Sequence, residues 1–314
     1  MKFNKLFFLS VAAGLALSSC SLDNDNDGNN NYVTNTYPCC NLVIPAAGEA
    51  PFATVATYNL TFYTTTGDVS ISTTDLVLGY GTQKFTSSTM PSETKFYSVD
   101  WTNQTLDVTS FAGGSCSENG LVIQNIKGYA SSVVNVLGSE YPIISDYPYK
   151  FRIPLVMSYT ANHDYTVKTF MPDAIYRGTN NVVGGNMDGS VFTSEDLLLR
   201  VVFSDNLKSA DVIFYNAKFS SMMPRAINFV LKDLPVTYTK DGYEIKNPDG
   251  KPVNPWMYEG GGLTEMPSYQ FTSFEFLNTS SDLTSGMASY TVQMGPSAFP
   301  CTFSGSYVYS GEQK

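Results

Sequence analysis

Residues 210–236 read ADVIFYNAKFSSMMPRAINFVLKDLPV. Ala210 to Tyr215 is a short run of apolar, β-branched and aromatic side chains, the kind that packs well on a pleated, half-buried surface. Ile227 to Leu231 and Val236 to Thr239 repeat the pattern, and the Ser, Met and Pro residues at 220–224 interrupt it. The same rhythm extends outward. LLLRVVF, 197–203, meets ADVIFY across the turn Ser204-Asp205-Asn206. Tyr243 to Ile245 follows the hairpin turn Lys240-Asp241-Gly242. A Pro- and Gly-rich loop is expected from Lys246 to Pro267, and three closing strands at Tyr269–Leu277, Gly286–Met294 and Cys301–Tyr309.

The first half is also strand-like. ATVATYNLTFYT alternates over Val55 to Tyr63, and VSISTTDLVLGY, KFYSVDW, TLDVTSF and GLVIQNIKGYASSVVNVL follow. GGSCSENG, 113–120, reads as a loop, and Tyr129 to Leu137 as a short helix. YKFRIPLVMSY (149–159) and DYTVKTFM (164–171) make a hairpin through Thr160-Ala161-Asn162-His163. The Gly- and Asn-rich stretch 172–190 marks a break between halves. Many short antiparallel strands without a compelling long helix predict a sandwich or a barrel, and a barrel leaves no free sheet edge. The fold class is all-β: an N-terminal antiparallel β domain, 37–174, followed by a lipocalin- or calycin-like β-barrel, 175–314.

The start of the chain reads as an address. Lys2 and Lys5 precede the apolar run LFFLSVAAGLAL, which is too short to span a bilayer but suits a signal peptide. Leu17-Ser18-Ser19-Cys20 resembles the lipobox of bacterial lipoproteins. That resemblance implies removal of residues 1–19, a lipid on Cys20 and a membrane partner through that lipid. Asp23 to Gly28 copies half of a calcium loop, but Thr34 stands where the bidentate glutamate belongs. The acidic stretch 20–36 is therefore expected to be a flexible tether. It resembles the surface-export signals of lipoproteins from the Bacteroides group, which implies an outer-membrane lipoprotein at the cell surface or on the periplasmic face.

Residues 210–236 also resemble a segment of the calycin-like barrel domains of Bacteroides lipoproteins. Tyr215, Phe219, Met223, Pro224, Phe229 and Pro235 occupy the places of a "Y-x-x-x-F-x-x-x-M-P" connection and its flanking strands, although Leu234-Pro235 lacks that motif's final glycine. SSTMPSETKFY, 87–97, echoes SSMMPRAINFV, 220–230, as two diverged copies or by chance in a Ser/Thr-rich chain.

Composition narrows the function. Eighteen basic and 28 acidic residues give a net charge of -10, and losing Lys2 and Lys5 takes it to -12. Such a surface repels phosphate backbones, so no nucleic-acid partner is expected. Cys39 or Cys40 can pair with Cys116 in an oxidising compartment, whereas Cys301 reads as a buried thiol. With His163 alone in a turn and no C-x-x-C, no metal site and no cofactor are expected. Neither a nucleophile elbow nor a phosphate loop is present, and the scattered acids single out no catalytic pair, so no enzyme is expected. The expected role is a membrane-anchored binding module for a glycan or small ligand, apolar ones included. Trp256 and Tyr258 would stack on the ligand and Glu259 would take its hydroxyls. Alternatively, Trp256 caps the barrel end. The competing role is a structural or assembly component of a surface complex or fimbria, with other surface proteins as partners.

Overall fold

A computed structural model describes residues 32–63, 68–78, 82–89, 97–100, 105–109, 116–118, 121–131, 146–147, 155–259, 261–281 and 283–308. The expected signal peptide, Cys20 and most of the expected tether lie outside them. Ten strands form a first antiparallel sheet: β1 (Tyr32–Pro45), β2 (Phe52–Tyr63), β3 (Asp68–Val77), β4 (Thr82–Thr89), β5 (Tyr97–Asp100), β6 (Thr105–Thr109), β7 (Cys116–Glu118), β8 (Leu121–Ser131), β9 (Leu155–Ala161) and β10 (Tyr165–Phe170). Their order is β4-β3-β2-β1-β10-β9-β8-β6-β5, with β7 beside β8. The hairpin turn between β9 and β10 holds Asn162 and His163 at positive φ, with His163 exposed.

Ten more strands follow: β11 (Asp173–Val182), β12 (Phe192–Phe203), β13 (Ser209–Ala217), β14 (Ile227–Tyr238), β15 (Tyr243–Lys246), β16 (Trp256–Glu259), β17 (Gly262–Glu265), β18 (Tyr269–Asn278), β19 (Ser285–Met294) and β20 (Ser297–Tyr307). Eight of them run β13-β12-β11-β20-β19-β18-β15-β14, and β14 pairs back onto β13. The result is a closed eight-stranded antiparallel barrel, as the strand rhythm predicts. The hairpin β16–β17 extends the sheet by pairing with β14 at Phe229 and Val230.

Alternation sorts the side chains. Along β12, Leu197, Leu199, Val201 and Phe203 face the main core, whereas Leu198 and Arg200 face the outer wall. The barrel interior is packed with rings. Phe214 stacks on Phe229 at 4.5 Å, and Tyr290 sits 5.4 Å from Phe214 and 5.7 Å from Phe271. Two buried tyrosine hydroxyls pair: those of Tyr176 and Tyr243 share a 2.8 Å hydrogen bond, and Asn278 Nδ2 donates to Tyr176 Oη at 2.9 Å. Phe170, the last residue of β10, closes the lower mouth, with its ring 5.1 Å from both Phe203 and Tyr243. Sheet and barrel thus share one apolar core.

Several expectations are corrected. β1 begins at Tyr32, inside the stretch 20–36 expected to be a tether. Cys116 to Glu118, placed in a loop, form β7, and Tyr129 to Ser131, expected to start a helix, end β8. Ile227–Leu231 and Val236–Tyr238, expected as two strands, belong to one, bent at Asp233, where φ is 55° and the β13–β14 register shifts. Cys39, Cys40 and Cys301 are buried, and the strand order sets Cys39 and Cys40 apart from Cys116. β10 and β9 intervene between β1 and β8, the partner of β7. At about 4.8 Å per strand, that exceeds the roughly 7 Å Cα separation a disulfide tolerates.

Burial pushes Cys40 from 9.0 and Tyr243 from 10.0 up to about 12. Both groups are held neutral when folded and ionise near their ordinary values when unfolded. Their contribution is therefore complete below pH 9 and lost as the pH climbs towards 12. Urea midpoints should stay level up to pH 9 and fall steeply beyond pH 10, with ionisation of the buried Tyr243 accompanying unfolding rather than preceding it.

Candidate functional site

The barrel wall has two faces of opposite character. On the β11–β14 side the outward residues are apolar: Ile175, Leu198, Ile213, Tyr215 and Val230. They are roofed by Tyr147, by Val308 and by Trp256 and Leu263 of the hairpin. Arg200 is held beneath this roof at 2% side-chain exposure. Its Nε and Nη2 each donate to Asp173 at 2.7 Å, and its Nη1 donates to the Tyr147 carbonyl at 3.0 Å. Burial alone would lower the Arg200 pKa, but the bonds and charge of Asp173 more than offset this and raise it. Tyr147 donates in turn to Asp211, and burial, followed by that bond, pushes its own pKa up. This face is structural.

The opposite face is open. Outward residues of β11, β20, β19 and β18 line a cleft of about 370 Å³. The strand registers arrange them in two rows. Thr179, Ser304, Met287 and Leu277 form one, and Asn181, Thr302, Ser289 and Glu275 the other. The wall beneath them is crowded on its inner side. Just below the first row the inward positions are Gly178, Gly305 and Gly286, paired side by side. A Cβ on Gly286 would lie 2.5 Å from the Phe276 ring, and one on Gly305 2.4 Å from the Phe303 ring. The core rings therefore press directly on the backbone that carries the cleft floor.

The polar groups of the cleft are oriented. Thr193 Oγ1 donates to Asn181 Oδ1 at 2.8 Å, which leaves the Asn181 amide nitrogen to donate. Lys246 Nζ lies 3.0 Å from Glu275 and 2.6 Å from Glu244. Lys246 holds the Glu275 carboxyl below its ordinary range, so Glu275 is an ionised acceptor at neutral pH. Met287, 51% exposed, adds an apolar surface beside the hydroxyls of Ser289 and Ser304. Hydroxyl, amide and carboxylate groups around one apolar platform suit a polyhydroxylated molecule.

The residues singled out in the sequence stand elsewhere. Trp256, Tyr258 and Glu259 form β16, a strand rather than a loop. Trp256 packs on the apolar outer wall, with Lys232 Nζ 4.3 Å from its ring centre, so it covers the barrel's side and not its end. Tyr258 is 46% exposed. None of the three lines the cleft. Asn181, Glu275, Met287, Ser289 and Thr302 were missed. Their only sequence signal is polar-out alternation, which every solvated strand shows.

No protein-family model and no curated protein matches the chain. Among solved structures, it is similar to a protein of unknown function from the DUF3598 family of Nostoc punctiforme, at 9% identity and a TM-score of 0.24, covering 87% of this chain and 96% of that one. It is also similar to the isotype 1 transferrin binding protein B of serogroup B Neisseria meningitidis, at 7% identity and a TM-score of 0.25, covering 89% of this chain and 77% of that one. At these values the architecture rests on the strand pairings above.

Proposed function

We propose that the chain is a membrane-anchored, non-catalytic binding module of the outer membrane, and that a glycan or other small polar ligand occupies the cleft on the barrel wall. The lipobox-like Leu17 to Cys20 supports the anchor. The observation that carries the binding role is the contrast between interior and wall. Rings such as Phe214, Phe229, Phe271 and Tyr290 fill the barrel, whereas the β18–β20 and β11 wall carries an open cleft in which hydroxyl, amide and carboxylate groups border a larger apolar surface. Calorimetric titration of the full-length chain with oligosaccharides tests this. Asn181→Ala should weaken binding roughly tenfold, the size expected for one lost hydrogen bond, and leave the melting temperature unchanged. Trp256→Ala should leave affinity unchanged. Equal affinity in Asn181→Ala and in the parent would remove the cleft from consideration.

One observation favours the second reading, an assembly component. Met187 and Met222 are 84% and 64% exposed, beside exposed Val183 and Val191, on two loops joined by Ser221 N donating to Gly185 O at 3.0 Å. If that reading holds, Met187→Ser with Met222→Ser abolishes association in sedimentation and leaves saccharide binding intact.

A further inference from the structure

We infer that the cleft selects uncharged saccharides and rejects anionic ones such as sialylated or uronate chains, an inference that rests on the binding role proposed above. Charge is the first argument. Among the described residues, Glu275 is the one charged residue lining the cleft. Lys246 is flanked by both Glu244 and Glu275, so the cluster carries two carboxylates to one ammonium. A ligand carboxylate placed there would meet Glu275 with no cation left over for it. The nearest cation along β11 is Arg177, which pairs with Ser306 one row beyond the glycines and does not line the cleft. At longer range the chain's net charge of -10 repels anions from the whole surface.

Hydrogen-bonding capacity is the second argument. Thr179, Ser289, Thr302 and Ser304 carry hydroxyls that both donate and accept, which matches the hydroxyls of a neutral sugar. Glu275 only accepts, so the group facing it must donate, as a sugar hydroxyl or an N-acetyl N–H does and a carboxylate does not. Met287 and Leu277 close the β18 end of the other row and offer an apolar surface to a ring face. Each row crosses four strands, and at about 4.8 Å per strand it spans roughly 14 Å, room for more than one ring.

The test is titration of the full-length chain with neutral cello-, manno- and N-acetylchito-oligosaccharides against sialyllactose and oligogalacturonate, at low and high salt. The expected result is binding of a neutral probe, with the anionic probes at least tenfold weaker at low salt. That gap should narrow at high salt and in Glu275→Gln, whose unchanged melting temperature certifies its fold. Anionic probes that bind as tightly as neutral ones overturn the selectivity and leave the binding role standing. If no saccharide of either kind binds, the binding role itself fails, and the selectivity with it.

Discussion

Gly178→Ala should destabilise the barrel by more than about 4 kcal/mol, at the far end of the range for single substitutions. A Cβ there would lie 2.0 Å from the carbonyl oxygen of Ser304 and 2.5 Å from the Cα of Gly305. Both are backbone atoms of β20, and Gly178 and Gly305 are directly paired. No rotamer change relieves the clash, so β11 and β20 must separate. That pair joins the first and last strands of the closed barrel, and opening it exposes two edges and the rings behind them. Gly189→Ala is the contrast. Its φ is 77°, but nothing lies within 4 Å of the added atom, so only the left-handed strain of about 1–2 kcal/mol applies. Urea unfolding of both variants separates the two costs.

Asp173→Ala should cost about 3–5 kcal/mol, the penalty for breaking a buried ion pair from one side. Arg200 would keep its charge beneath Tyr147 and Tyr215 and lose both carboxylate oxygens, which neutral acceptors such as the Tyr147 carbonyl and the Tyr215 hydroxyl do not replace. Adding Arg200→Met removes the stranded charge and should recover most of the loss, since an apolar side chain fits the neighbouring Leu198, Ile213 and Val202. A double variant as unstable as Asp173→Ala alone would show that the pair itself, rather than the unpaired charge, holds this face. Equilibrium unfolding of the four proteins in the cycle decides the matter.

The barrel was legible because its strands alternate. Leu197 to Phe203, Ala210 to Tyr215 and the three closing runs carry the pattern of a half-buried wall, and the structure places strands on all of them. β11 was not legible, because the residues that make it a seam look like loop residues. Gly178 is there for close approach, Asn180 is buried to accept a 2.7 Å hydrogen bond from Tyr290, and Asn181 reaches across to Thr193. Each answers to a partner more than ten residues away, which no local pattern records. The bend at Asp233 split one strand into two for the same reason: its amide bonds to Asp211 on the neighbouring strand.

The site was hidden differently. Trp256 drew notice as an aromatic in a Pro/Gly-rich loop, but it serves the apolar wall with Val230 and Leu263. The cleft residues are common types at ordinary solvent-facing positions, and only the registers of four strands bring Asn181, Thr302, Ser289 and Glu275 into line. Two of those strands lie over a hundred positions from Asn181 in sequence.

The most direct test of the cleft as the binding site is a residue-resolved NMR titration of the full-length chain with the tightest-binding neutral oligosaccharide. The predicted result is saturable shifts confined to amides of β11, β18, β19 and β20, led by Asn181, Ser289 and Thr302, with those of the β16–β17 hairpin unmoved. Shifts centred on Trp256 and Tyr258, or spread through the packed interior around Tyr290, would contradict it.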